Sequence, residues 1–362
     1  MKKVMLVFGT RPEAIKMCPL VNELKENDSI KTIVCVTGQH KEMLEQVLDV
    51  FKVVPDYDLG IMKANQTLFS ITTSILDKIQ VVLEQEKPDI VLVHGDTTTT
   101  FATALAAFYM GIKVGHVEAG LRTYNLQSPF PEEFNRQTTS IIADYHFAPT
   151  EVAKDNLLKE GRENIFVTGN TVIDALKTTV QDDYNHPILE WAKDSKLIML
   201  TAHRRENLGQ PMENMFNAVN RILNEFEDVK VVYPIHKNPK VRELASKVFG
   251  DNERMKIIEP IEVIDFHNFM NQSYMILTDS GGVQEEAPSL GKPVLVMRDT
   301  TERPEGIAAG TLKLVGTDEE NIYSNFKLLL ENQTEYNKMS KASNPYGDGK
   351  ACERIVDIIL EG

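Results

Sequence analysis

The sequence predicts an α/β protein of two doubly wound domains with a cleft between them. Short apolar runs of β type alternate with longer helical patterns along most of the 362 residues. Most of these runs are continuously apolar, which is typical of parallel strands covered by helices on both faces. The alternation predicts parallel sheets with right-handed crossovers, and the length predicts two domains of ~150 residues or more.

The predicted strands fall into two series separated by a polar segment, QDDYNHPILEWAKDSK. The first series comprises 4–8, 32–37, 90–94, 113–117 and 165–167. The second comprises 197–200, 229–233, 256–259, 274–278, 293–297 and 311–315. This division predicts a first domain of 1–169 and a second of 170–345. The last stretch, 346–362, has turn residues and then an amphipathic pattern, so we expect its helix to join the first domain.

The amino-acid composition argues against several classes of protein. The formal net charge of −14 argues against broad nucleic-acid binding, although it is compatible with a small phosphorylated ligand in a locally basic cleft. No apolar run is long enough to span a bilayer, and no signal-peptide pattern is present. The three cysteines lack metal-ligand spacing and do not suggest a disulfide framework. We therefore expect a cytoplasmic protein without a membrane partner.

The segment VFGTRPEAIK links the first strand to the first helix. Gly9 permits a tight turn, and Pro12 suits the first turn of a helix. The N–H groups of that turn favour an anion, and Arg11 and Lys16 add positive charge. The alternative is an ordinary strand–helix turn with a solvated arginine.

Charged residues follow several predicted strands where those strands end, and open α/β sheets bind ligands at this edge. They include Asp96, Glu118, His203 and Asp279. Singly, Asp96 could cap a helix, Glu118 could pair with Arg122, His203 could be a satisfied histidine, and Asp279 could bind turn amides. Together they predict an acid/base site, because structural carboxylates have no reason to favour one edge of both sheets.

A second turn, in DSGGVQEEAPSLGKPVL, has the composition of a phosphate-binding turn. Gly281 and Gly282 let phosphate oxygens approach the backbone, and Ser280 can donate a hydrogen bond. Glu286, on the following helix, could accept hydrogen bonds from ribose hydroxyls. Its alternative is a surface ion pair with Lys292.

The loop SPFPEEFNRQ contains two prolines that restrict its backbone, followed by helical carboxylates. Glu132 and Arg136 stand at i, i+4 and are expected to share a helix face. They predict either a carboxylate delivered to the cleft and held by arginine, or an exposed ion pair worth ~0.3–0.5 kcal/mol.

Seven segments together resemble the non-hydrolysing UDP-N-acetylglucosamine 2-epimerases of bacteria: FGTRPEAIK, HGDTTT, HVEAGLRT, PFPEEFNRQ, HRREN, TDSGGVQEEAPSLGKPVLVMRDTTERPE and NPYGDGKA. They occur in the family's order and span nearly the whole chain. The resemblance implies a GT-B-like fold of two Rossmann-like domains. It also implies interconversion of UDP-GlcNAc and UDP-ManNAc, the latter a precursor of cell-surface polysaccharides.

The resemblance implies site residues as well. The acid/base and charge-stabilising positions correspond to Asp96, Glu118, Glu132 and His203. The substrate contacts correspond to Arg11, Lys16, Arg136, Phe266, Ser280, Gly281, Gly282, Glu286 and Arg303. Some relatives bind a second UDP-GlcNAc as an activator, and the corresponding positions here are Gln39, Glu42, Asn65, Arg204 and His236.

The implied chemistry explains these residue types. The C2 proton of a hexosamine is not acidic, so a base removes it while UDP leaves C1, and UDP returns after reprotonation on the other face. Cations stabilise the departing diphosphate, and we expect neither a metal nor a cofactor. The expected partners are UDP-GlcNAc, UDP-ManNAc and UDP, with a homodimer as the assembly. A hydrolysing 2-epimerase that releases ManNAc and UDP, and a non-catalytic UDP-sugar sensor, remain as alternatives.

Overall fold

The computed structural model describes residues 1–38, 41–63, 65–301 and 303–362, with the backbone alone at 41 and 42. The chain forms two compact units. The first comprises Met1–Thr178 with Tyr346–Gly362, and the second comprises Thr179–Pro345. The sequence-based boundary after residue 169 lies before α7 (Thr171–Thr179), whereas the units divide near the end of that helix.

The first unit contains a parallel sheet of seven strands among the described residues, in the order β3-β2-β1-β4-β5-β6-β7. Its strands are β1 (Lys2–Phe8), β2 (Ile30–Val36), β3 (Tyr57–Asp58), β4 (Ile90–His94), β5 (Lys113–Val117), β6 (Tyr145–Ala148) and β7 (Ile165–Val167). Because β1 and β4 are neighbours, the sheet changes direction of growth between them, which is where such sheets bind ligands.

The second unit contains, within the described part of the chain, a parallel six-stranded sheet in the order β10-β9-β8-β11-β12-β13. Its strands are β8 (Lys196–Thr201), β9 (Val229–Pro234), β10 (Met255–Ile258), β11 (Met275–Thr278), β12 (Val294–Val296) and β13 (Leu312–Leu314). Its change of direction lies between β8 and β11. The two parallel sheets confirm the predicted α/β class.

Helices connect the strands in both units. Those of the first unit are α1 (Arg11–Lys25), α2 (Lys41–Val50), α3 (Leu68–Glu86), α4 (Thr98–Tyr109), α5 (Glu132–Ile142), α6 (Glu151–Lys159) and α7. Those of the second are α8 (Pro187–Ala192), α9 (Gln210–Glu225), α10 (Pro239–Phe249), α11 (Val263–Gln272), α12 (Gly281–Glu286), α13 (Pro304–Ala309), α14 (Glu319–Glu331) and α15 (Gln333–Ser340). The last helix, α16 (Ala351–Glu361), belongs to the first unit, and 3₁₀ turns occupy Arg205–Asn207 and Ala287–Leu290.

Each sheet is buried on both faces, as its apolar runs predict. Along β1, Val4, Leu6 and Phe8 pack into one core cluster, whereas Met5 and Val7 pack into another. Side chains alternate across a strand, so a continuous apolar run fills the space under helices on both sides. Among the described residues, no helix combines the length and apolarity needed to cross a membrane.

The predicted strand series omits two strands. β3 has two residues, and β6 has the sequence YHFA with a buried histidine. Neither segment gives an apolar run long enough to be recognised, and both are instead defined by pairing with neighbouring strands.

Candidate active site

Glu118 stands immediately after β5 in a conformation that non-glycine residues rarely adopt. Its φ is +62°, in the left-handed region, at a conformational cost of ~1–3 kcal/mol. Its Oε2 forms an ion pair with Lys16 Nζ and accepts a hydrogen bond of 2.8 Å from the buried Asn170 Nδ2. The surrounding structure therefore holds a charged side chain in a strained position, which is a frequent property of functional residues.

A buried histidine lies behind this carboxylate. His94 Nε2 is 3.8 Å from Glu118 Oε2 and has no hydrogen-bond partner within the described part of the chain. Burial lowers the pKa of His94 to about 4. The imidazole is consequently neutral near pH 7, and it adds no positive charge beside Glu118.

Asp96 follows β4, the strand next to β5. Its Oδ2 is 3.6 Å from Arg136 Nη1, and Asn135 Nδ2 donates to its backbone carbonyl at 2.9 Å. Burial above all raises the pKa of Asp96 to about 6; the Arg136 charge opposes this rise, and the charges of Glu118 and Glu132 contribute to it. A carboxyl group with this pKa can both accept and donate a proton near neutral pH.

The α5 carboxylates differ from the predicted pairing. Arg136 forms an ion pair with Asp96 and a second one with Glu133, whose Oε2 lies 3.0 Å from Arg136 Nε. The i, i+4 spacing had predicted Glu132 as its partner. Glu133 is buried, and its oxygens accept hydrogen bonds from the Thr123 and Tyr124 amides, which compensate for the lost contact with water. The prediction of a Glu132–Arg136 pair is therefore wrong, and Glu132 instead begins α5 as a half-buried carboxylate whose charge acts on Asp96.

The turn before α1 also differs from its prediction. Glu13 is buried, and its Oε2 accepts hydrogen bonds from the Gly9 and Thr10 amides at 3.1 and 2.8 Å. Thr97 Oγ1 donates to its other oxygen at 2.7 Å. This capping box engages the amides of Gly9 and Thr10, which precede the helix, and the Glu13 amide in its first turn. Positive charge at this turn therefore comes from the side chains of Arg11, at the start of α1, and Lys16.

Two of the alternative explanations fail at these positions. Arg122 pairs with Glu160 at 2.7 Å and not with Glu118. The residue that caps α4 is Thr97, whose hydroxyl accepts from the Thr100 amide, and not Asp96. The first unit thus brings together Lys16, Asp96, Glu118, Glu132 and Arg136.

In the second unit, His203 follows β8 and contacts a buried carboxylate. Asp279, at the end of the neighbouring β11, has Oδ1 at 3.2 Å from His203 Nδ1. Its Oδ2 accepts hydrogen bonds of 2.9 Å from the amides of His203 and Arg204, as the alternative reading of Asp279 expected. Burial lowers the pKa of His203, against the charge of Asp279.

Arginines surround the Ser-Gly-Gly turn. A Cβ atom on Gly281 would lie 3.5 Å from Arg303 Cζ and 3.6 Å from Arg204 Nη2, so both guanidinium groups approach the backbone there. The buried Glu285 accepts a hydrogen bond of 2.7 Å from Arg303 Nε and orients that side chain. Ser280 and Gly282 stand on either side of Gly281. The turn therefore has, close to its backbone, the positive charge that a diphosphate needs.

Glu286 has a different partner from the one its alternative explanation assigned. Its Oε2 is 3.6 Å from His267 Nε2, and His267 Nδ1 lies 2.6 Å from Thr179 Oγ1. Lys292 is not among its contacts in the described residues. Phe266, the neighbour of His267 on α11, is half-buried.

The residues expected at a second UDP-GlcNAc site are only partly described. Gln39 and the side chain of Glu42 lie outside the described residues. Asn65 is exposed with a φ of +56° in the first unit, whereas Arg204 and the exposed His236 belong to the second.

Sequence reasoning missed three residues that support this site: Glu13, His94 and Asn170. Glu13 appears in the capping-box spacing T-x-x-E, which could have identified it. His94 and Asn170 act through contacts with Glu118 that are remote in sequence, and no local pattern indicates them.

Comparison with known proteins identifies relatives over the whole chain. The family described as UDP-N-acetylglucosamine 2-epimerase matches residues 22–360. A UDP-N-acetylglucosamine 2-epimerase of Bacillus subtilis is 68% identical over 99% of this chain and 95% of its own length. A crystal structure from Listeria monocytogenes is 58% identical, with a TM-score of 0.96 over 100% of this chain and 96% of that one.

A third relative carries a ligand. The crystal structure of UDP-GlcNAc 2-epimerase from Neisseria meningitidis bound to UDP-GlcNAc is 51% identical, with a TM-score of 0.90 over 99% of this chain and all of that one. A glycotransferase of kitacinnamycin is similar in fold alone, with 10% identity and a TM-score of 0.67. That similarity agrees with the predicted GT-B-like architecture.

Proposed function

The chain belongs to the UDP-N-acetylglucosamine 2-epimerase family, and we propose that it interconverts UDP-GlcNAc and UDP-ManNAc by reversible elimination of UDP. The observation on which this proposal depends is the cluster of three carboxylate side chains in the first unit. Asp96, with a pKa raised to about 6, lies near the charges of Glu118 and Glu132, and Glu118 is held by Lys16 and Asn170.

The proposed reaction breaks two bonds and restores both. A base takes the C2 proton, the C2 electron pair forms the C1–C2 double bond, and the C1–oxygen bond breaks with its electrons on UDP. Reprotonation of C2 on the opposite face and return of UDP to C1 give the epimer. This route needs groups that accept or donate a proton on both faces of the sugar ring. We assign this role to the side chains of Asp96, Glu118, Glu132 and His203.

The nucleotide is assigned to the second unit. The guanidinium group of Arg303 near Gly281 can neutralise the charge that develops on the departing diphosphate. Glu286 can accept hydrogen bonds from ribose hydroxyls, and Phe266 offers an apolar surface beside it. We assign Arg11 and Lys16, of the first unit, to the phosphates and the sugar.

Product analysis tests this proposal against its two alternatives. UDP-GlcNAc is incubated with the protein, and the products are separated by anion exchange. UDP-linked ManNAc is the expected product. Free ManNAc with UDP would instead indicate a hydrolysing epimerase, and UDP-GlcNAc that binds but stays unchanged would indicate a sensor.

We further propose that a second UDP-GlcNAc binds weakly, and we assign Gln39, Glu42, Asn65, Arg204 and His236 to it. If the Glu42 side chain pointed inward, its carboxylate at ~4 Å from a diphosphate would be unfavourable by up to ~4 kcal/mol, and for this reason we expect the binding to be weak. A lag with UDP-ManNAc alone that a trace of UDP-GlcNAc abolishes would establish activation through this second molecule. A lag-free hyperbolic rate from pure UDP-ManNAc would exclude an obligatory activator.

We propose that the enzyme is a cytoplasmic homodimer that supplies UDP-ManNAc for cell-surface polysaccharides. All three cysteines are unpaired and buried, as expected in a reducing compartment.

The neighbouring helices α3 and α4 expose Phe69, Val81, Phe108 and Tyr109, the first of them 85% exposed. We place the dimer interface on this pair of helices, where a partner would cover these apolar side chains. Tyr109→Glu should lower the mass measured by light scattering to that of a monomer, and an unchanged dimer would contradict this placement.

A further inference from the structure

The two oxygens of Asp279 have different environments, although the residue is fully buried. Oδ2 accepts three hydrogen bonds, from the amides of His203 and Arg204 and from Asn207 Nδ2 at 3.2 Å. These bonds fix the carboxylate and the start of the segment after β8. Oδ2 is therefore engaged by two backbone amides and one side-chain amide.

Oδ1 has no hydrogen-bond partner among the described residues apart from its ionic contact with His203. The two atoms, Oδ1 and His203 Nδ1, are 3.2 Å apart. A buried carboxylate oxygen requires a donor, and an unprotonated Nδ1 would oppose it with a second lone pair. The arrangement thus favours a proton on Nδ1.

We infer that Asp279 is a positioning residue that fixes His203 in the Nδ1–H tautomer and reserves Nε2 for proton exchange with the ligand. The imidazole is 41% exposed, so one part of the ring is held by the buried carboxylate while another remains accessible. The catalytic consequence rests on the proposed epimerase function, whereas the tautomer itself does not.

Charged or titratable groups of the described residues act on the imidazole from several segments. Asp279, directly after β11, and Glu206 favour its protonated form, whereas Arg204 and His236, after β9, disfavour it. Burial is the largest influence and lowers the pKa of His203 below its ordinary value of 6.5. The ring is accordingly neutral at pH 8, where its tautomer can be measured, and loss of the Asp279 charge should lower this pKa further.

Nitrogen NMR of protein labelled with ¹⁵N-histidine tests the tautomer without substrate. The protein has eight histidines, so a His203→Gln variant assigns the His203 resonances by their loss. At pH 8 we expect a protonated Nδ1 and an unprotonated Nε2. A protonated Nε2 in the unmodified protein would overturn the inference, even where no Asp279 variant folds.

Asp279→Asn is the informative substitution, because its amide oxygen can retain the backbone bonds while its NH₂ group faces His203. The proton should then move to Nε2, as seen in the same spectrum, and the turnover number should fall by ~10²–10⁴ with a smaller change in UDP affinity. An unchanged tautomer in folded Asp279→Asn would overturn the assignment of Asp279.

Asn207→Ala is the matched control, because it removes a donor to Oδ2 and leaves the Oδ1–His203 contact. We expect it to retain the Nδ1–H tautomer. A tautomer change in Asn207→Ala equal to that in Asp279→Asn would show that general loosening, and not the Oδ1 contact, sets the proton. Absence of epimerase activity in the unmodified protein would refute the proposed function while the tautomer result stands.

Discussion

Replacing Asp96 with asparagine should stabilise the protein at neutral pH while it impairs turnover. Asparagine resembles the protonated carboxyl group in shape and lacks its charge. Burial raises the pKa of Asp96 from its ordinary 3.8 to about 6, so folding disfavours the ionised form. A pKa rise of one pH unit corresponds to 1.36 kcal/mol, so this rise lowers the free energy of unfolding by ~3 kcal/mol at pH 8. This is an upper value, because 31% of the side chain is exposed to solvent.

The sign of the pH dependence follows from this raised pKa. Below pH 3.8 the carboxyl group is protonated in both the folded and the unfolded protein. The free energy of unfolding then has the full value that goes with a neutral side chain at this position. That stability is lost as the pH rises through the folded-state pKa of about 6. Between pH 5 and 8 the free energy of unfolding of Asp96→Asn should therefore gain up to ~1.4 kcal/mol relative to the unmodified protein.

Urea unfolding followed by far-ultraviolet circular dichroism at pH 5, 6, 7 and 8 measures this difference. Asp77→Asn is the matched control, because it removes the same charge from an exposed position on α3. Its difference from the unmodified protein should not grow with pH in this range. A pH-independent difference for Asp96→Asn, or one that shrinks toward pH 8, would refute the raised pKa and its cause.

Further predictions concern the other carboxylates and one turn. Glu118→Gln and Glu132→Gln should each lower the turnover number by ~10²–10⁴ in a UDP-ManNAc formation assay, with smaller changes in UDP affinity; near-normal activity would remove that residue from the catalytic set. Glu13→Ala should lower the free energy of urea unfolding by ~1–3 kcal/mol or more, because two backbone amides lose their acceptor, and an unchanged midpoint would contradict that role. Gly120→Ala should destabilise the fold, since its Cβ would lie 2.2 Å from the Ala153 carbonyl oxygen at a φ of +94°; a soluble variant with an unchanged melting temperature would show that the backbone adjusts.

Strands could be predicted from sequence where burial gives a strong local pattern. The run Ile90–His94 is predicted with the bounds that the structure gives, because each of its residues is buried. Tyr57–Asp58 is a strand only through its pairing with Cys35 and Val36, which no local pattern encodes.

The candidate site was predictable in position and less so in contacts. Parallel strands place Asp96 and Glu118 at one sheet edge, a consequence of topology alone. Which partner each side chain takes depends on distances of a few ångströms, and i, i+4 spacing therefore assigned Arg136 to Glu132 where the fold pairs it with Glu133 and Asp96.

Proton exchange at C2 tests the proposed chemistry most directly. UDP-GlcNAc is incubated with the protein in D₂O, and both UDP-sugars are followed by NMR. We expect deuterium at C2 of UDP-ManNAc and, as the reaction reverses, of UDP-GlcNAc, with both sugars still linked to UDP. UDP-ManNAc that retains the original C2 proton would contradict the elimination mechanism.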